Sequence, residues 1–68
     1  MSGSNVAAAR RKQAEAYDLQ AACYRAQAEC ERLLGDDDLA AKYEDHALAY
    51  DNIAKAYREM ALSWDEFA

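Results

Sequence analysis

Apolar and small residues recur along this chain at intervals of seven. In the C-terminal half, Tyr43, Tyr50, Tyr57 and Trp64 form one series. Leu39, His46, Ile53, Met60 and Phe67 form a second, and Ala40, Ala47, Ala54, Ala61 and Ala68 a third. On an α-helix these series lie side by side and make one wide apolar face. The N-terminal half carries a weaker version. Ala9, Ala16, Cys23 and Cys30 form a small-residue series, with Leu19, Ala26 and Leu33 on one side and Tyr17 and Tyr24 on the other. A seven-residue period on both segments predicts two helices with a left-handed supercoil.

The boundaries follow from the few residues able to stop a helix. Nothing breaks one from Val6 to Leu34, nor from Leu39 to about Phe67. Between them, Gly35 suits the left-handed position just past a helix end. Asp36, Asp37 and Asp38 then supply a cap and first-turn acids that favour the helix dipole. The reading is a disordered leader over residues 1–4, in which Ser4 or Asn5 starts the cap, and a single hairpin domain over 5–68. Within it a helix spans 5–34, a turn 35–37 and a second helix 38–67. So short a link makes the helices antiparallel neighbours. The expected fold class is therefore all-α, an antiparallel two-helix hairpin.

Small residues at one heptad position of both helices let two backbones come closer than the usual 8–10 Å. The alanine series of the second helix is expected to face the Ala9, Ala16, Cys23, Cys30 series, giving a close-packed Ala/Cys seam with Ala28 on the outer side. Such a seam leaves Tyr17, Tyr24, Tyr43, Tyr50 and Tyr57 uncovered. These five are the expected self-association residues, and a homodimer would complete a four-helix bundle.

Composition narrows the function. A 68-residue chain buries only about 60% of the surface its unfolded form exposes, so a lone core is marginal. Thirteen acids against eight bases give a net charge of −5, which repels phosphates and does not advertise a nucleic-acid binder. Cys23 and Cys30 are two helical turns, roughly 10.5 Å, apart, too far for a disulfide. With no signal-peptide pattern at the start, they read as reduced thiols of a cytoplasmic protein. No run of about 18 apolar residues suggests a membrane span.

Candidate chemistry is sparse. His46 lies in an apolar series, and its i−3 and i+4 neighbours are Tyr43 and Tyr50 rather than carboxylates, so a partly buried histidine is expected and not a metal ligand. The three aspartates lack the glycine and terminal glutamate of a calcium loop. No phosphate loop, catalytic triad or Cys-x-x-Cys is present. No catalytic residue, metal or cofactor is assigned, and the chain reads as a non-enzyme. Gln13, Gln20 and Gln27 repeat every seven and suit either a solvated edge or amide bonds to tyrosine hydroxyls. Arg10, Arg11 and Lys12 at one helix start oppose the helix dipole, as Asp65 and Glu66 do at the other helix's end. In a hairpin these ends meet, and pairing across them would relieve both. Met60, Trp64 and Phe67 cluster near the C-terminal end and form the expected site for a protein partner.

The segment GDDDLAAKYEDHAL, Gly35 to Leu48, resembles the turn and second helix of a tetratricopeptide repeat, with Gly35, Asp36, Ala40, Ala47 and Leu48 matching. Gln27, Glu31, Glu44 and Asp51 depart from it, and there is one copy where a solenoid needs about three. The likeness is read as shared hairpin physics and not as membership. The layout also resembles the plasmid RNA-binding hairpin regulators, which are acidic dimeric four-helix bundles. That resemblance implies an RNA-binding regulatory dimer as the alternative function. The favoured expectation is a protein–protein interaction module, of the kind a phage or mobile element uses to bind and modulate a host protein.

Overall fold

The computed structural model describes residues 3–65. Helix α1 runs from Gly3 to Leu33 and α2 from Asp37 to Asp65. They pack antiparallel along their length as a rod of 51 × 12 × 11 Å between Cα atoms. The all-helical hairpin is as expected, with shifted ends. Of the anticipated leader, Gly3 and Ser4 already belong to α1, while residues 1–2 lie outside the described residues. So do 66–68, which include the expected end of the second helix.

The turn takes three residues. The Gly35 N–H donates to the Arg32 carbonyl at 3.0 Å, and the Asp36 N–H donates to the Glu31 carbonyl at 2.8 Å. This pair of bonds terminates a helix on a left-handed residue, and Gly35 has φ +86°. A side chain at that φ would be strained. Asp36 then caps α2, its Oδ1 accepting the Leu39 N–H at 3.0 Å. One aspartate thus closes α1 through its backbone and opens α2 through its side chain. Asp37 and Asp38 occupy the first turn of α2, where negative charge favours the dipole.

The seam differs from the expectation. Its buried residues are Ala7, Ala14, Ala21 and Ala28 of α1 against Ala40, Ala47, Ala54 and Ala61 of α2, each at most 1% exposed. Cys23 and Cys30 are exposed, as are Ala9 and Ala16. The anticipated Ala/Cys seam is thus an all-alanine seam, and Ala28 lies inside it. Helix α1 is turned by about 160° about its axis from the expected setting, the angle between heptad series two residues apart. Leu19 and Leu33 are carried outward, to 68% and 89% exposed. What dictates this setting is the flanks. Only with Ala7, Ala14, Ala21 and Ala28 inward do both sides of α1 find matching partners on α2.

Candidate interaction surfaces

On one flank the five tyrosines interleave. Tyr17 lies between Tyr57 and Tyr50, with ring centroids 5.5 and 5.8 Å away. Tyr24 lies between Tyr50 and Tyr43, at 5.5 and 6.0 Å. The result is a ladder, 57–17–50–24–43, alternating between helices. Offset aromatic pairs of this spacing each add about 0.5–1.5 kcal/mol beyond area burial. All five rings are half-buried. They are therefore partly covered within one hairpin, and not left open as the sequence suggested.

The series adjoining the ladder complete a broad face. On α2 these are Leu39, His46, Ile53 and Met60; on α1, Gln13, Gln20 and Gln27. His46 is exposed, against the expectation of a partly buried ring, and lies 5.2 Å from the Tyr24 ring. Gln13 Oε1 accepts from Arg10 Nη1 at 2.9 Å, while Gln20 and Gln27 are exposed. Arg10 and Glu31 occupy the heptad positions just outside Tyr17 and Tyr24, one at each end of the ladder. Both are half-buried, and among the described residues neither stands in an ion pair.

On the opposite flank, four ion pairs cross between the helices. Arg11 Nη1 meets Asp65 Oδ2 at 2.7 Å, and Arg58 Nη1 meets Asp18 Oδ2 at 2.8 Å. Arg25 pairs with Asp51, and Arg32 with Glu44. The Arg11–Asp65 rung is the pairing of helix ends that the sequence suggested. The Arg25–Asp51 pair is two-pronged, Nη1 to Oδ1 and Nη2 to Oδ2. The hydrogen bond from Arg25 holds the Asp51 carboxyl below its ordinary pKa, and the reciprocal bond raises that of Arg25. Lys12 is paired with Glu15 at 3.2 Å within α1. The cluster at residues 10–12 therefore presents few uncommitted cations.

Two open notches lie between rungs. One, of about 310 Å³, has Ala14, Ala61 and Leu62 as its apolar wall and Arg11, Glu15 and Arg58 at its rim. The other, about 430 Å³, is lined by Leu48 among charged residues. Among the described residues, no three His, Cys, Asp or Glu side chains converge as a metal site would require. No described helix is long and apolar enough to cross a membrane.

Of the expected partner site, Met60 is 43% and Trp64 42% exposed, while Phe67 lies outside the described residues. The sequence reading overlooked the charged heptads Arg11, Asp18, Arg25, Arg32 and Glu44, Asp51, Arg58, Asp65. Their opposed order was visible and would have indicated which side of α1 faces α2. Comparison of the chain with family models, curated proteins and solved structures gives no match.

Proposed function

We propose that this hairpin is a non-enzymatic protein–protein interaction module that self-associates and binds a second protein. One observation carries the reading. The buried core is alanine alone, and no large side chain is fully buried among the described residues. Each buried methyl is worth only about 0.8 kcal/mol. Meanwhile Leu19, Leu33, Leu48, Ile53, Met60, Leu62 and Trp64 are all substantially exposed. A chain that spends its large apolar residues on its outside has them available for other molecules.

The partner surface is Met60 and Trp64 at the C-terminal end of α2 together with Phe67, which follows in sequence, since Trp anchors are enriched among residues that dominate binding. The small size, alanine-rich hairpin and acidic balance suit an accessory protein of a phage or mobile element that modulates a host protein. The intramolecular pairing of Arg11, Lys12, Arg25, Arg32 and Arg58 weighs against the RNA-binding alternative, because those cations are already neutralised.

The test is nuclease-treated affinity capture with the wild-type chain and with Trp64→Ala/Phe67→Ala. A discrete protein retained by the first and lost by the second, at unchanged helical circular dichroism, supports the reading. Retention of RNA that falls steeply with salt would replace it by the alternative.

A further inference from the structure

We infer that the tyrosine face binds a second copy of this chain in antiparallel fashion, with the two turns at opposite ends of the four-helix assembly. The inference rests on the self-association proposed above and adds the face and the direction. The four rungs of the ion-pair flank pair their charges within the hairpin. The tyrosine flank does not: its rings are half-buried, its adjoining series Leu39, His46, Ile53, Met60 and Gln13, Gln20, Gln27 hold no Arg, Lys, Asp or Glu, and its two terminal charges, Arg10 and Glu31, stand in no ion pair among the described residues.

Those two charges select the arrangement. Arg10 and Glu31 lie on the same helix, at opposite ends of the ladder, with its centre midway between them. A two-fold axis crossing the face at that centre, perpendicular to the rod, lays α1 on α1 and α2 on α2, each antiparallel to its mate. Arg10 of each copy then stands at the level of Glu31 of the other, so each orphan charge gains one partner and the dimer gains two symmetry-related pairs. The same axis sets Ile53 opposite His46 of the second copy and Met60 opposite Leu39, closing an apolar core over Tyr50. The alternative axis, parallel to the rod, lays α1 on α2 with both turns at one end. It keeps Arg10 at the level of Arg10 and Glu31 at the level of Glu31, leaving both without partners.

The area suffices. Arg10 and Glu31 are 21 residues apart in sequence, about 31 Å of helix at 1.5 Å per residue. Two helices side by side are roughly 20 Å wide with their side chains. The flat footprint is therefore about 600 Å² per copy, and surface relief brings it toward the ≈ 800 Å² per partner of a standard interface. Trp64 remains at the rim of this assembly, so the partner site narrows to the last turn of α2.

The experiment combines sedimentation with a spin-label distance. Nitroxide is placed on Leu34→Cys in a Cys23→Ser/Cys30→Ser background; Leu34 is 78% exposed and is the first residue of the turn. Antiparallel pairing gives a label separation of roughly 40 Å, twice the distance from Leu34 to the centre of the ladder. In addition, Arg10→Glu or Glu31→Arg alone is expected to weaken the dimer about tenfold, and the double exchange to restore it. A separation under about 25 Å in a dimer places the turns together and overturns the inference while leaving self-association intact. So does a dimer whose dissociation constant ignores both single exchanges. A folded monomer at tens of micromolar overturns self-association itself.

Discussion

At the scale of the residue, alanine is the structural unit of this protein. Its methyl is small enough to let two backbones close together and good enough as a helix former to occupy any exposed position. These two properties have opposite consequences for substitution. Ala28→Leu and Ala47→Leu insert three carbons into a seam with no room for them, and overpacking of this kind costs about 1–3 kcal/mol. Ala49→Leu places the same side chain on the exposed side of α2, where surface changes stay within about 0.5 kcal/mol. Thermal melts of the three variants check this. A loss of roughly 4–8 °C for each kcal/mol is expected in a chain of this size for the first two, and little change for the third. Equal melting points would remove the all-alanine seam. Asp36 and Gly35 are the other residues that act singly, because helix end, turn and helix start share them.

At the scale of the element, the two helices are held in one register by a pattern that the alanines cannot provide. A seam with alanine at every seventh position is unchanged by a slip of seven residues. The ion pairs are not. Three rungs take their arginine from α1, and the fourth, Asp18–Arg58, is reversed. A slip of one heptad in one direction would set Arg11 against Arg58 and Asp18 against Asp51. A slip in the other would set Asp18 against Asp65 and Arg25 against Arg58. Either way the reversed rung turns two attractions into repulsions. Had all four rungs pointed the same way, the slip would have cost only the rung lost at the end. The tight turn sets the register at one end, and the ladder repeats it along the rod. Exposed pairs are worth about 0.2–1 kcal/mol each, so specificity is a larger effect than stability here. Asp18→Arg is therefore expected to lower the melting point modestly at low salt, and Asp18→Arg with Arg58→Asp to recover it. A double-mutant cycle measures the coupling, and a coupling of zero at low ionic strength would remove the ladder from the account.

At the scale of the whole molecule, the hairpin is a rod with a specified seam and a thin core. Binding any copy or partner to the folded form stabilises it by mass action. The melting temperature of the wild-type chain is accordingly expected to rise with protein concentration across the micromolar range. Ile53→Glu, which charges the centre of the tyrosine face, is expected to abolish that rise. Calorimetry at several concentrations separates the outcomes, and a concentration-independent melt would mean that the hairpin stands alone.

Much of this was legible in the linear pattern. Two helices, their antiparallel direction, the turn at Gly35 and the cap among the aspartates all follow from local chemistry: a missing Cβ, short side chains that accept backbone N–H groups, and the absence of any other breaker. The large residues of α2 also marked their own faces, because Tyr43, Tyr50 and Tyr57 cannot be confused with solvent-side positions. The setting of α1 was a different problem. Alanine and other small residues fall in several of its heptad series, so burial leaves no contrast for a sequence to display, and the Ala/Cys series was as plausible a seam as the one at Ala7, Ala14, Ala21 and Ala28. The opposed order of the charged heptads was the sequence's pointer between them, and packing across the two helices decided it. Turning α1 by two heptad positions would take Tyr17 and Tyr24 off the aromatic ladder and Arg11, Asp18, Arg25 and Arg32 off their partners at once. Those gains belong to pairs of residues on different helices, and they exist only once the chain has folded back on itself.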